Sequence, residues 1–261
     1  MITVDFPHLF GAFSAAFLAG AINSVAGGGT MISFPVLVAL GLPPVMANAT
    51  NTVGIWPGSL GSMWGFRKEL SRVNRRMFWL LLPALAGGFA GAILLRSTPP
   101  GVFEKLVPWL ILFATILFIV QGPVQRRLKS VDAAKHAGPR WLVVAMTVQL
   151  GVAVYGGYFG AGMSIMALSV LGLLGMTDIL EMSATTSLLS CAINGTAGIL
   201  FAVAGLVVWP YALAMTTGAL IGGYGAAGIA RKIGKVAVRR FVIFVGLSIS
   251  VAMFVKLMMA G

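Results

Sequence analysis

"INSVAGGGTMISFPVLVALGLPPVMANATNTV" (residues 22–53) is apolar enough to enter a bilayer, yet Gly27–Gly29 interrupt it and Asn23, Thr30, Asn48, Thr50 and Asn51 stud it. A lipid-facing helix tolerates neither feature, because each unpaired polar group in hydrocarbon costs several kcal/mol. Such a segment has to be buried in protein or line a cavity. The rest of the chain shows which.

The chain is 261 residues long, 59% hydrophobic and only 9% charged, with a mean hydropathy of +0.98. Soluble domains carry roughly a quarter charged residues. The sequence therefore predicts an all-α polytopic membrane protein. The formal charge of +12 is concentrated in three short runs. That arrangement suits membrane orientation and anionic lipid headgroups, not nucleic acid. A single cysteine, Cys191, excludes an internal disulfide and any multi-cysteine metal site. Neither a metal nor a cofactor is expected. The start, "MITVDFPHLFG", lacks the basic region and cleavage site of a removable signal, so the first apolar helix is expected to stay.

A membrane-crossing helix needs about 20 apolar residues. Candidates lie at 8–26, 45–66, 77–96, 103–121, 141–159, 179–204, 209–230 and 241–259. Two apolar pieces, 30–42 and 163–176, are too short to span comfortably, so whether they cross or re-enter stays open. Each follows a glycine cluster: Ala26–Gly29 in the first case, Gly156–Gly162 in the second. No segment alternates as an outer-membrane strand would.

The two halves repeat at an offset near 135. "LAGGFAGA" (85–92) matches "LIGGYGAA" (220–227), and "MANATNTV" (46–53) matches "EMSATTSL" (181–188) so that Ala49-Thr50 falls on Ala184-Thr185. The basic loops do not repeat. Loop 67–76 carries five basic residues and its counterpart 205–210 none; loop 231–240 carries five where 96–105 carries two; linker 125–140 carries five more. Similar halves with basic loops at opposite positions predict inverted-topology repeats. The expected organisation is a first transmembrane repeat (1–122), a basic cytoplasmic linker (123–140) and a second repeat (141–261). Both termini would lie outside, with 15 of the 18 basic residues inside.

The breaks are where chemistry would sit. Glycine lacks a Cβ, so Gly28 and Gly29 let a ligand approach the backbone. The short helix that follows presents its positive N-terminal end, with Thr30 as the expected capping hydroxyl. Gly160, Gly162 and Ser164 supply the equivalent in the second half. Asn48 and Asn51, three apart, share a helix face with Thr50 nearby; the second half has Thr185 and Thr186. Neutral amides, hydroxyls and helix ends suit a small oxyanion that must bind and leave again. Other readings stand beside this one. Small residues often serve helix packing, which is the expectation for "LAGGFAGA" and "LIGGYGAA". Single hydroxyls often bond back to their own helix, and the two amides can find partners on a neighbouring helix. Asp178 reads as the N-cap of the helix at 179, with Glu181 as a first-turn acid or a proton-coupling site. Trp56, Trp64, Trp109, Trp141 and Trp209 read as interfacial anchors, and Trp56, which follows the Asn/Thr face, reads equally as the lining of a cavity. Catalytic constellations are missing: there is no HExxH, no paired carboxylates in one span, and no GxxxxGK[ST].

Taken together, "AGGGTMISFPVLVALGLPPVMANATNTV" resembles the first-half signature of the TauE/SafE sulfite exporter family, also called the toluene sulfonate uptake permease family. "YFGAGMSIMALSVLGLLGMTDILEMSATTSL" resembles its second-half copy. The resemblance implies a secondary transporter of sulfur oxyanions or organosulfonates such as sulfite or sulfoacetate, in a bacterial inner membrane. It leaves open the individual anion, the direction and the coupling ion. On this reading the substrate-binding residues are Asn23, Gly28, Gly29, Thr30, Asn48, Thr50 and Asn51 from one half, with Gly160, Gly162, Ser164, Thr185 and Thr186 from the other. Thr185-Thr186 stands where the first half has Thr50-Asn51, so the half-sites are not chemically equal. The expected partners are a small anionic solute and membrane lipid, with a homodimer left open. An anion channel and a non-transporting membrane subunit are the rivals.

Overall fold

A computed structural model describes residues 3–23, 28–128, 139–225 and 235–259. Ala26 and Gly27 of the first break, linker residues 129–138, and Arg231 and Lys232 lie outside them. The described chain is helical: α1 (Phe6–Asn23), α2 (Thr30–Ala39), α3 (Pro44–Gly65), a single turn α4 (Arg67–Leu70), a 3₁₀ segment (Arg75–Leu80), α5 (Leu81–Ser97), α6 (Pro100–Leu128), α7 (Pro139–Tyr158), α8 (Met163–Leu173), α9 (Ile179–Val203), α10 (Trp209–Gly225) and α11 (Lys235–Met259).

Local chemistry sets these boundaries. Prolines open α3, α6 and α7, where a missing N–H costs nothing. Asp178 caps α9 as expected, its Oδ1 accepting the N–H groups of Leu180 (2.7 Å) and Glu181 (3.3 Å). Three helices end the same way. Gly41, Gly175 and Gly205 adopt φ of +89°, +83° and +70°. The N–H of the next residue then reaches back to close the helix: Leu42 to Leu37, Met176 to Leu171 and Leu206 to Phe201.

Among the described residues, six helical stretches are long and apolar enough to cross a membrane: α1, 75–97, α6 through Val120, α7, α9 and α11. The chain is a multi-pass membrane protein. The 22-residue α3 is not among the six; its amides, hydroxyls and glycines lower its hydropathy, and they are tolerated because α3 packs centrally, against α9 and α10. The short helices α2 and α8, of 10 and 11 residues, are each about 15 Å long, half the hydrocarbon thickness.

The small-residue stripes do pack. α5 lies on α7 so closely that a Cβ at Gly91 would stand 2.1 Å from the Val154 carbonyl oxygen; α10 lies on α1, where a Cβ at Gly218 would stand 2.3 Å from that of Phe13. Contacts also give running directions. Val53 meets Gly198 while Trp56 meets Gly195, and the Trp56 Nε1–H donates to the Cys191 carbonyl at 3.0 Å, so α3 and α9 are antiparallel. Trp109 meets Phe254, Thr115 meets Gly246 and Phe118 meets Arg239, so α6 and α11 are antiparallel too.

Helix α6 runs past the expected end at 121. Pro123 has no N–H to give the Ile119 carbonyl four residues back. Arg239 of α11 supplies it, donating from Nη2 to Ile119 (2.8 Å) and from Nε to Phe118 (2.9 Å).

Candidate functional site: a polar junction between two helix breaks

At the first break the chain leaves α1 and turns back as α2. Asn23 Oδ1 accepts the Gly29 N–H at 2.7 Å. The Gly29 carbonyl takes the Ser33 hydroxyl (3.2 Å), and that hydroxyl also lies 2.5 Å from Asn51 Oδ1. One polar chain thus joins α1, α2 and α3 through Asn23, Gly29, Ser33 and Asn51. Gly28 sits at φ +90°, and a Cβ there would stand 2.0 Å from the Phe118 ring. Gly29, not Thr30, is the N-cap of α2, and no side chain caps it. The expectation of Thr30 as a capping hydroxyl fails because the helix begins at Thr30 itself; its side chain is buried on the first turn.

At the second break, the Phe159 and Gly160 N–H groups both return to the Tyr155 carbonyl (2.9 and 3.2 Å), while the Tyr155 hydroxyl donates to the Ala161 carbonyl (2.7 Å). Gly160 and Gly162 have φ of +81° and +77°, and Gly162 precedes α8 in the left-handed conformation. Several backbone donors that the sequence offered to an anion are therefore turned into the break itself. A buried bend with no ligand has to satisfy its own amides.

The two breaks meet. Gly28 lies against Phe118 and Gly162 against Ala114 and Leu117, so both rest on one turn of α6. Phe34 of α2 packs edge-on against Phe159 of the second break, with ring centroids 5.3 Å apart. Asn48 bridges the halves: its Nδ2 donates to the Tyr158 carbonyl at 2.9 Å. Its Oδ1 is buried with no partner, in a residue only 1% exposed. In this conformation Phe118, Leu117 and Phe34 close the breaks with hydrocarbon.

Other predicted residues do different work. The Thr50 hydroxyl accepts the Val208 N–H (3.0 Å) and ties α3 to the start of α10. Thr185 bonds back to the Glu181 carbonyl (2.9 Å). Glu181 is half-buried in the first turn of α9. Ser164 is half-buried at the start of α8. Trp56 is half-buried against Gly195 and is no simple interfacial anchor, whereas Trp64, Trp109, Trp141 and Trp209 are exposed. Thr186 lies on the α9 stripe of Met182, Leu189 and Ile193, which belong to a second apolar cluster, and its hydroxyl has no partner. Two contributors were missed from sequence. Ser33 sits one turn into α2, a position that the proximity of Asn51 alone explains. Gln149, wholly buried on α7, has neither amide atom paired; an amide alone in an apolar span was its signal. Each such orphan costs about 1–3 kcal/mol unless something fills its bond.

A cavity of about 470 Å³ opens at the α5–α6 turn and is lined by Leu94, Ser97, Thr98, Pro99, Val102, Leu106 and Tyr158. It reaches the second break at Tyr158, the residue that Asn48 grips. Among the described residues no group of three or more His, Cys, Asp or Glu side chains is placed to hold a metal ion.

The sulfite exporter TauE/SafE family model matches residues 12–253. The chain belongs to that family. It is also similar to curated proteins named as probable membrane transporters. One from Haemophilus influenzae is 28% identical over 243 residues, 92% of both chains. The protein ORF9 of a Sinorhizobium species is 27% identical over 241 residues, covering 92% of this chain and 89% of the relative. YfcA of Escherichia coli is 28% identical over 248 residues, covering 92% and 87%. No solved structure matches the chain. This family member thus carries its two glycine breaks, the family-like signature of each half, against a single turn of α6.

Proposed function

We propose that the protein is a bacterial inner-membrane secondary transporter that moves a small sulfur-containing oxyanion, sulfite or an organosulfonate such as sulfoacetate, by alternating access. The observation that carries this reading is the junction: two breaks on one turn of α6, with Asn48 spanning them, one of its two Nδ2 hydrogens spent on the Tyr158 carbonyl and the second left for a solute oxygen. An uncharged site of this kind holds an anion through amide and hydroxyl donors yet lets it go.

The halves are proposed to be inverted repeats. The antiparallel course of α3 against α9, and of α6 against α11, is what a two-fold axis in the membrane plane imposes on counterpart helices. This arrangement puts loop 67–76, the linker and loop 231–240 on one side, taken as the cytoplasm, and both termini on the other. The cavity at Tyr158 then faces outward as a vestibule to the second break. Rocking of the halves about the breaks would lift Phe118 and Leu117 away. Export of an anion gains about 2.3 kcal/mol per charge per 100 mV of inside-negative potential, so export requires no coupling ion.

Purified protein should be stabilised by one of sulfite, thiosulfate or sulfoacetate in a thermal-shift series, with sulfate and nitrate as controls. The same anion should show saturable flux and counterflow in proteoliposomes. Unitary currents without counterflow would mark a channel instead. Absence of both stabilisation and flux would remove the anion reading.

A further inference from the structure

Gln149 and Thr186 lie on different helices, and both face the same apolar cluster. On α7, Gln149 shares a stripe with Ala145, Val152 and Gly156, spaced at three and four residues. Gly156 of that stripe touches Met163 of α8 and Ile193 of α9. On α9, Thr186 shares a stripe with Met182, Leu189 and Ile193, and Ile193 is the residue that meets Gly156. Ala145, Val152, Met182, Leu189 and Ile193 are buried members of one cluster. Helix α7 runs parallel to α5, since Gly87 meets Ala153 and Gly91 meets Tyr158; α9 does so too, because it is antiparallel to α3 and is met by α4, just past the end of α3, on the side where α5 begins. Gln149 and Thr186 each precede the Gly156–Ile193 contact by seven residues, two turns, so they stand at one level facing a common interior.

Neither has a partner. Gln149 is 0% exposed with both amide atoms unpaired, and Thr186 is 6% exposed with its hydroxyl unpaired. The first half shows what is absent. Gly28 and Gly162 are 134 positions apart, as are Gly41 and Gly175; α3 and α9 start 135 apart, at Pro44 and Ile179. Asn51 therefore corresponds to Thr186, and Ser33, which bonds Asn51, corresponds to Ala167. Where one half closes its polar pair internally, the other replaces one partner by a methyl group and adds an amide opposite. Selection for stability alone would not keep three unpaired polar atoms in an apolar cluster.

We infer that Gln149 and Thr186 form a second solute station, between α7, α8 and α9 and apart from the break junction, that hydrogen-bonds the oxygens of the transported anion. The inference rests on the transport reading above and extends it. The Gln149 amide N–H and the Thr186 hydroxyl donate to the solute, and the Gln149 carbonyl accepts from a protonated oxygen or an accompanying water. A station with no fixed charge can hand the anion on.

The test uses Gln149→Met and Thr186→Val, which remove the polar atoms at nearly constant volume, with Thr186→Ser restoring the hydroxyl. Each is purified whole and reconstituted. Sulfite, thiosulfate and sulfoacetate are the probes for flux and thermal shift. The expected result is a KM raised at least tenfold in both apolar variants, the loss of one hydrogen bond to a charged ligand. The anion-dependent Tm shift is lost with it, while the anion-free Tm is equal to or above that of the parent. Thr186→Ser stays within threefold of the parent. Unchanged KM and unchanged anion-dependent shift in both apolar variants would overturn the station and assign the two groups to bound water. A lower anion-free Tm together with unchanged KM would overturn it as well, by making the groups structural. Should Gln149→Met fail to fold, the Val and Ser variants of Thr186 carry the test alone. A parent protein neither moved nor stabilised by any probe would sink the anion reading itself, a result distinct from parent transport that the variants leave intact.

Discussion

Asn51 and Thr186 occupy corresponding places in the two halves, and their surroundings are opposite. Asn51 is bonded to Ser33, which is bonded to Gly29, which is bonded to Asn23. Thr186 has Ala167 where that serine would be and no partner at all. The breaks differ likewise. Gly28 is pressed under the Phe118 ring, whereas a Cβ at Gly162 would find its nearest neighbour, Leu117, at 3.3 Å. At this pair of positions one half bonds its polar group internally and the other leaves it unbonded.

The contrast can be attacked at the breaks first. Gly28→Ala should destabilise by about 3 kcal/mol, from left-handed backbone strain plus collision with Phe118. Gly162→Ala should cost about 1–2 kcal/mol from strain alone. Denaturant unfolding in detergent reads both, and equal costs would remove the asymmetry. Asn48→Leu, at the point where the halves touch, should cut anion flux in proteoliposomes at least tenfold, because it deletes both the bond to Tyr158 and the second amide hydrogen. Ser33→Ala strips Asn51 of its partner and should cost about 1–2 kcal/mol. The converse change, Ala167→Ser, places a hydroxyl beside Thr186 and should raise stability by about 0.5–1 kcal/mol while slowing transport. A loss of stability there would show that the two positions do not correspond.

The smallest effect expected is at Asp5, just ahead of α1. Its carboxylate accepts the His8 N–H at 3.0 Å, and that bond holds its pKa below the usual carboxylate value. A depressed carboxylate stabilises above its unfolded pKa and loses that contribution as pH falls through the folded one. Asp5→Ala should therefore lower Tm slightly at pH 6, with the difference from the parent shrinking as pH falls below the ordinary carboxylate range.

Much of the architecture could be read in advance. Most long helices stand within a few residues of their expected bounds, but α6 runs on to Leu128, α11 begins at Lys235 where 241 was expected, and the expected end of the 209–230 span lies outside the described residues. Local patterns set those ends: prolines at starts, glycines at stops, and Asp178 ahead of α9. The continuation of α6 was not legible, because Pro123 ordinarily argues for a stop. Arg239, more than a hundred residues away, makes the difference by taking the carbonyls that a break would have exposed to water. The candidate site was legible in part. Asn23, Gly28, Gly29, Asn48 and Asn51 gather at the junction, but Thr50 proved to be a brace for α10 and Thr185 a bond to its own helix. An isolated hydroxyl does not reveal which way it points.

Hydropathy and glycine placement sufficed for the membrane class and the two breaks, because each is a property of neighbours along the chain. They could not say that both breaks would rest on one turn of α6, that Asn48 would reach across to Tyr158, or that Gln149 and Thr186 would be left without partners. Those outcomes depend on which faces of which helices are pressed together, and in a bundle this apolar a polar atom acquires its meaning only from what lies opposite it.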